Sequence, residues 1–193
     1  MILVVDHYDS FVYNIVQLVG AMGFECDVVR SDAFAPADLV AREPDAVILS
    51  PGPGRPEDAG CFIPLIRALP ASTPLLGVCL GHQALGVAYG ARVGRGPEPV
   101  HGKASSVTHD GAGILASMAS PFEAGRYHSL VVERDGLPEE LEVTAETDDG
   151  VVMAIQHREL PRYGVQFHPE SILTPDGPQV VKNFLGLAAA SFD

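Results

Sequence analysis

What most constrains the fold of this chain is the regular alternation, through its first half, of short apolar runs with helical patterns. Residues 2–5 and 46–49 are unbroken apolar runs of the kind that form strands buried on both faces. Ser10 is placed to cap a helix whose apolar residues Phe11, Ile15, Leu18, Val19 and Met22 recur at helical spacing, and Gly23 ends it. Residues 25–30 read as a second strand and 37–42 as a short helix. A helix over 61–69, a strand over 75–79 and a helix over 81–89, closed by Gly90, complete the series. The second half is richer in strands, at 104–109, 123–132, 141–146, 151–157 and 163–167, before a last helix over 179–190. No repeat or linker interrupts the pattern. The expected fold is therefore α/β: one domain over residues 1–193, with an open, mostly parallel sheet flanked by helices and extra strands in the second half.

Charge narrows the function classes. With 25 acidic against 12 basic residues, the chain carries a net charge of −13 and repels phosphate backbones, which argues against nucleic acid and anionic membranes as partners. Eight of the carboxylates fall within residues 133–149 and read as a solvated face. The longest stretch without a charged residue, 68–91, holds two prolines, four glycines, His82 and Gln83, so it is core rather than a membrane span. Three separated cysteines, Cys26, Cys61 and Cys79, and an opening directly in a strand point to a reduced, cytoplasmic protein without a leader.

In open α/β sheets chemistry gathers beyond the carboxyl ends of the strands, and the most informative segment lies there. Gly77-Val-Cys79-Leu-Gly81 is a Gly-x-nucleophile-x-Gly turn between a buried strand and a helix. A nucleophile in such a strained elbow tolerates no Cβ at the flanking positions, and at a helix N-terminus a thiolate is stabilised by unpaired N–H groups. Cys26 and Cys61 lack this context and read as structural. The base and its orienting acid are found in His168-Pro169-Glu170: residues two apart in an extended segment share a face, and Pro169 holds His168 out of the helical region. For the oxyanion of acyl transfer, Leu80 supplies one backbone N–H. Gly52-Pro53-Gly54 supplies another from Gly52 or Gly54, since Pro53 has none. Singleton cysteines and histidines without i,i+4 spacing argue against a metal site. No phosphate-binding glycine motif is present, and no cofactor is expected in this chain.

These residues resemble the class I (triad-type) glutamine amidotransferases. GVCLGHQ at 77–83 is similar to that family's nucleophile motif, SPGPG at 50–54 to its oxyanion loop, and VQFHPES at 165–171 to its His/Glu motif. Further segments at 6–19, 101–111, 126–132 and 168–177 resemble the glutaminase subunits that serve anthranilate synthase and, equally, aminodeoxychorismate synthase. The chain departs from that pattern at His7, where such proteins commonly have asparagine, and at Val12, which replaces a usual threonine. The resemblance implies a class I glutaminase fold with Cys79, His168 and Glu170 as catalytic triad. It further implies that Gly52 and Leu80 supply the oxyanion hole, and that Gly52, Pro53, Gly54, Gln83, Ser129 and Leu130 hold L-glutamine. It also implies a partner, a chorismate-binding synthase subunit that takes up the ammonia, because the glutaminase motifs use nearly all of these residues. Tryptophan synthesis is the expected service, with folate synthesis, or both, as the alternative. Weaker readings are a secondary-metabolic aminating enzyme, a free-standing γ-glutamyl hydrolase and a non-catalytic regulatory subunit.

Overall fold

A computed structural model describes residues 1–190; the last three residues of the expected 1–193 domain lie outside the described residues. The strands are β1 (Ile2–Asp6), β2 (Cys26–Arg30), β3 (Ala46–Leu49), β4 (Leu75–Val78), β5 (Val93–His109), β6 (Phe122–Val132), β7 (Leu141–Thr147), β8 (Val152–His157) and β9 (Arg162–Val165). The helices are α1 (Val12–Ala21), α2 (Pro36–Val40), α3 (Phe62–Ala68), α4 (Leu80–Ala88) and α5 (Gly177–Ala190). All the strands join one sheet in the order β2-β1-β3-β4-β9-β8-β7-β5-β6. Pairing is parallel from β2 through β9 and antiparallel from β9 through β6, so the extra strands of the second half make the sheet mixed.

Strand periodicity divides the core into two layers. Ile2, Val4, Ile48, Leu76 and Val78 face one side, where Val12, Ile15 and Val19 of α1 and Val181 and Phe184 of α5 cover them. Leu3, Val5, Val47, Leu49 and Leu75 face the other, under Leu39 of α2, Phe62 and Leu65 of α3, and Leu80, Ala84 and Leu85 of α4. Helices on both faces leave the carboxyl ends of β1, β3, β4 and β9 as the open edge. At the opposite end of the sheet, the buried guanidinium of Arg162 donates to the carbonyls of Thr73 and, at 2.7 Å, Pro70, which fastens the approach to β4 to the start of β9.

Two expectations change. Helix α1 begins at Val12, with Phe11 in the capping position and no side-chain cap, so Ser10 does not cap it. Phe11 is 57% exposed and Val12 is the buried residue: the apolar pattern begins one residue later, and Val12 enters the core in place of a polar side chain. Strand β5 starts at Val93, well before the expected 104, and pairs with β6 through irregular register between Arg95 and Val100 and between His101 and Lys103. Gly94, Gly96, Pro97, Pro99 and Gly102 make this stretch look like a loop. It is tolerated as strand because residues 93–103 pair on one side only, where a missing N–H costs little.

Candidate active site

Three chain segments leave the open edge side by side. The first is the elbow between β4 and α4. Cys79 has φ of 51° and ψ of −96°, a conformation that L-residues seldom adopt, and its N–H is held by the Val165 carbonyl at 2.8 Å. The flanking glycines explain how the turn closes. A Cβ on Gly77 would sit 2.3 Å from the Gly81 carbonyl oxygen, and one on Gly81 would sit 2.6 Å from that of Leu49. Leu80 opens α4, so its N–H has no intrahelical acceptor.

The second segment follows β3. Ser50 is fully buried; its hydroxyl accepts the His7 N–H at 2.9 Å and donates to the Pro51 carbonyl at 2.6 Å, which fixes the turn. A Cβ on Gly52 would meet the His7 carbonyl at 2.4 Å and the Leu80 side chain at 3.1 Å, so Gly52 is packed against the elbow. Gly54, with φ of 82°, is exposed and has open space around it. The His7 ring packs away from Gly52, with Nδ1 2.7 Å from the Ser31 hydroxyl and its ring edge-on to Phe62, while the His7 carbonyl and Cβ close on Gly52.

The third segment follows β9. His168 Nδ1 and Glu170 Oε1 are 2.6 Å apart, with side chains 8% and 2% exposed. The loop is clamped from below: the Thr174 hydroxyl donates to the His168 carbonyl at 2.7 Å and accepts the Gly125 N–H at 2.9 Å. The ring of Tyr127 packs edge-on to the imidazole with centroids 4.9 Å apart. Burial pulls the His168 pKa down, but Cys79 and Glu170 beside the ring outweigh it and push it up to about 10. Cys79 and Glu170 together thus favour the protonated imidazole at neutral pH. Its Nε2 is buried without a hydrogen-bond partner, leaving that nitrogen open to the chemistry.

Gly52, Pro53, Cys79, His168 and Glu170 line one cleft of about 1120 Å³, together with Tyr8, Asp9, Phe11, Tyr127 and Ile172. Gln83 and Leu130 sit behind the nucleophile. Gln83 Nε2 donates to the Leu130 carbonyl at 3.0 Å and to Gln166 Oε1 at 3.2 Å, and Gln166 Nε2 donates to Cys79 Sγ at 3.5 Å. Gly54 and Ser129 are exposed and do not line the cleft. Sequence reasoning missed Asp9, Tyr127 and Gln166. Asp9 lies across from the triad, where burial raises its pKa, with the Phe11 amide opposing this and Glu170 adding to it. Gln166 had a usable signal, since it stands two residues before His168, at the same spacing that pairs His168 with Glu170. No three His, Cys, Asp or Glu side chains among the described residues cluster as a metal site.

A strained cysteine elbow beside a buried His–Glu pair is the arrangement of a nucleophilic acyl-transfer enzyme. The family model described as "Glutamine amidotransferase class-I" matches residues 3–187. The chain belongs to that family. It is a class I glutamine amidotransferase, and its relatives agree over nearly the whole length. Anthranilate synthase component 2 of Azospirillum brasilense is 52% identical over 186 residues, covering 96% of this chain and 95% of the relative. Aminodeoxychorismate synthase component 2 of Escherichia coli is 46% identical over 185 residues, covering 96% and 99%. In fold, the chain is similar to the crystal structure of a putative GMP synthase subunit from Thermoplasma acidophilum, with a TM-score of 0.88, 24% identity, and 98% and 94% of the two chains covered. Among the described residues no helix is long and apolar enough to cross a membrane.

Proposed function

We propose that this amidotransferase is the glutaminase subunit of a chorismate-utilising synthase, most directly of anthranilate synthase. The observation that carries the chemistry is the elbow thiol of Cys79 next to a buried His168–Glu170 pair whose second imidazole nitrogen has no hydrogen-bond partner. The Cys79 thiolate attacks the carboxamide carbon of L-glutamine, and the tetrahedral oxyanion accepts the N–H groups of Leu80 and Gly52. Collapse breaks the C–N bond; His168 gives its proton to the leaving nitrogen, ammonia departs, and a glutamyl thioester remains on Cys79. His168, now neutral, takes a proton from water as it adds to the thioester. A second collapse releases glutamate and restores the thiolate. Glu170 accepts the hydrogen bond from the Nδ1 proton throughout and balances the imidazolium whenever His168 is charged. Gly52 and Pro53, which line the cleft, hold the glutamine, while Gly54, Gln83, Ser129 and Leu130, which the resemblance also assigns to it, stand outside the cleft lining in this structure.

The partner is inferred from two supports. Relatives at 52% and 46% identity are each named component 2 of a synthase, and the cleft's rim carries exposed Tyr8, Phe11 and, at 93% exposure, Ile172, apolar surface suited to being covered. The E. coli relative favours a second reading, in which the same ammonia serves aminodeoxychorismate synthesis instead or as well. The test is Cys79→Ser assayed with each type of synthase partner. Glutamine-dependent product formation should fall by at least about 1000-fold while synthesis from added ammonium salt persists. Unchanged glutamine-dependent turnover would remove Cys79 from the mechanism, and the synthase that responds to glutamine identifies the pathway.

A further inference from the structure

Behind the nucleophile lies a buried network of hydrogen bonds whose directions are fixed by a guanidinium that can only donate and a carbonyl that can only accept. At one end Arg126, which can only donate, gives its Nε–H to His128 Nε2 at 3.1 Å. His128 therefore carries its proton on Nδ1 and donates it to the Leu130 carbonyl at 3.0 Å. That carbonyl can only accept, so the Gln83 atom 3.0 Å from it is the amide nitrogen. The same nitrogen also reaches Gln166 at 3.2 Å, so the Gln166 atom facing it must be the oxygen. What remains of the Gln166 carboxamide, its N–H₂, points at Cys79 Sγ, 3.5 Å away. Gln166 is completely buried and its backbone N–H is tied to the Met153 carbonyl at 2.8 Å, so the side chain has little room to turn.

We propose that Gln166 is a catalytic hydrogen-bond donor to the Cys79 sulfur, oriented for that task by Gln83, with Arg126, His128 and Leu130 positioning Gln83 in turn. This deepens the glutaminase reading and rests on it. A donor held against sulfur favours the thiolate over the thiol and aims its remaining lone pairs at the cleft. Because Leu130 belongs to the strand expected to hold the glutamine, the same chain joins the substrate side of the site to the nucleophile. By engaging the Gln166 oxygen, Gln83 keeps it turned away from the sulfur.

The test uses the full chain with Gln166→Met, which keeps volume and removes the donor, and Gln166→Glu, which keeps shape and sets a carboxylate against sulfur. His168, Glu170, Asp9, His128 and Arg126, the ionisable groups that line or back this part of the site, stay in place in both. The readouts are kcat and KM for glutamine in the assembled enzyme and the pH profile of inactivation by iodoacetamide. Gln166→Met should lower kcat about 10-fold or more with a smaller change in KM, in line with a hydrogen bond to a charged group. The acid limb of its inactivation profile should move to higher pH, and Gln166→Glu should move it further. A folded Gln166→Met protein with wild-type kcat and profile, lowered only in melting temperature, overturns the proposal. Gln166→Glu decides alone if the Met variant does not fold. Iodoacetamide reads the sulfur without glutamine, so a wild-type protein that alkylates normally but never hydrolyses glutamine refutes the glutaminase reading separately.

Discussion

At the scale of single residues, the site depends on how Cys79 and Glu170 share the charge on His168. The imidazole is buried, which alone would keep it neutral, yet two neighbours hold the proton on it up to about pH 10. Glu170→Gln removes one of the two charges while preserving shape. The expected result is a 10- to 100-fold loss in kcat, roughly the worth of a charge-assisted hydrogen bond, with KM for glutamine little changed. Stability carries a second signature. A raised folded-state pKa stabilises fully below the unfolded value near 6.5, and that stabilisation is lost as pH rises through about 10. Urea unfolding between pH 7 and 10 should therefore show a steeper alkaline loss in the wild type than in Glu170→Gln. The two-residue spacing made His168 and Glu170 readable from sequence alone. Gln166 obeys the same spacing but is a neutral amide, and nothing local announces that its partner is a cysteine distant in sequence. Asp9 was hidden for a related reason: its approach to Glu170 depends on how the loop after β1 meets the loop after β9, a tertiary fact.

At the scale of elements, the elbow shows how glycine placement builds a reactive geometry. Gly77 and Gly81 are required because the sites of their missing Cβ atoms are occupied by backbone, which cannot swing aside as a side chain would. Gly81→Ala should thus force α4 away from β3, with a stability loss of about 3 kcal/mol or more and loss of glutaminase activity, measured by chemical denaturation and turnover. Gly54→Ala is not a neutral comparison despite its open surroundings, since its φ of 82° strains any side chain. Gly186→Ala, in α5 with nothing within 4 Å of its would-be Cβ, should instead be tolerated or slightly stabilising. The parallel half of the sheet was legible because each strand is a short apolar run bounded by a turn. The N-terminal part of β5 was not, because its glycines and prolines obey loop chemistry locally and only the neighbouring β6 makes a strand of them. Helix α1 was legible in type but not in start, as exposed Phe11 matches the helical period without entering the core.

At the scale of the whole molecule, acidity and buried histidines shape the response to pH. The carboxylates of residues 133–149 do not all lie free: Glu142 pairs with Arg158, Glu146 with Arg134 and Glu133 with Arg92, in exposed bridges that contribute little individually. Stability in acid is governed more by His82 and His128, which burial holds down to about 3 and about 4. Both titrate near 6.5 when unfolded, so below that pH the unfolded chain binds more protons. Stability should fall as pH drops from 6.5 toward 4, by up to about 1.4 kcal/mol per pH unit for each histidine. Melting temperatures at pH 7 and 5 check this, and a flat profile would contradict the burial of these rings as neutral groups. The central claim, that Cys79 is the nucleophile of a glutaminase, is tested most directly by labelling the protein with 6-diazo-5-oxo-L-norleucine, an electrophilic glutamine mimic, and mapping the adduct by peptide mass. The expected result is a single adduct on Cys79 that excess glutamine suppresses. Labelling on Cys26 or Cys61 with Cys79 unmodified, or no adduct at all, would contradict it.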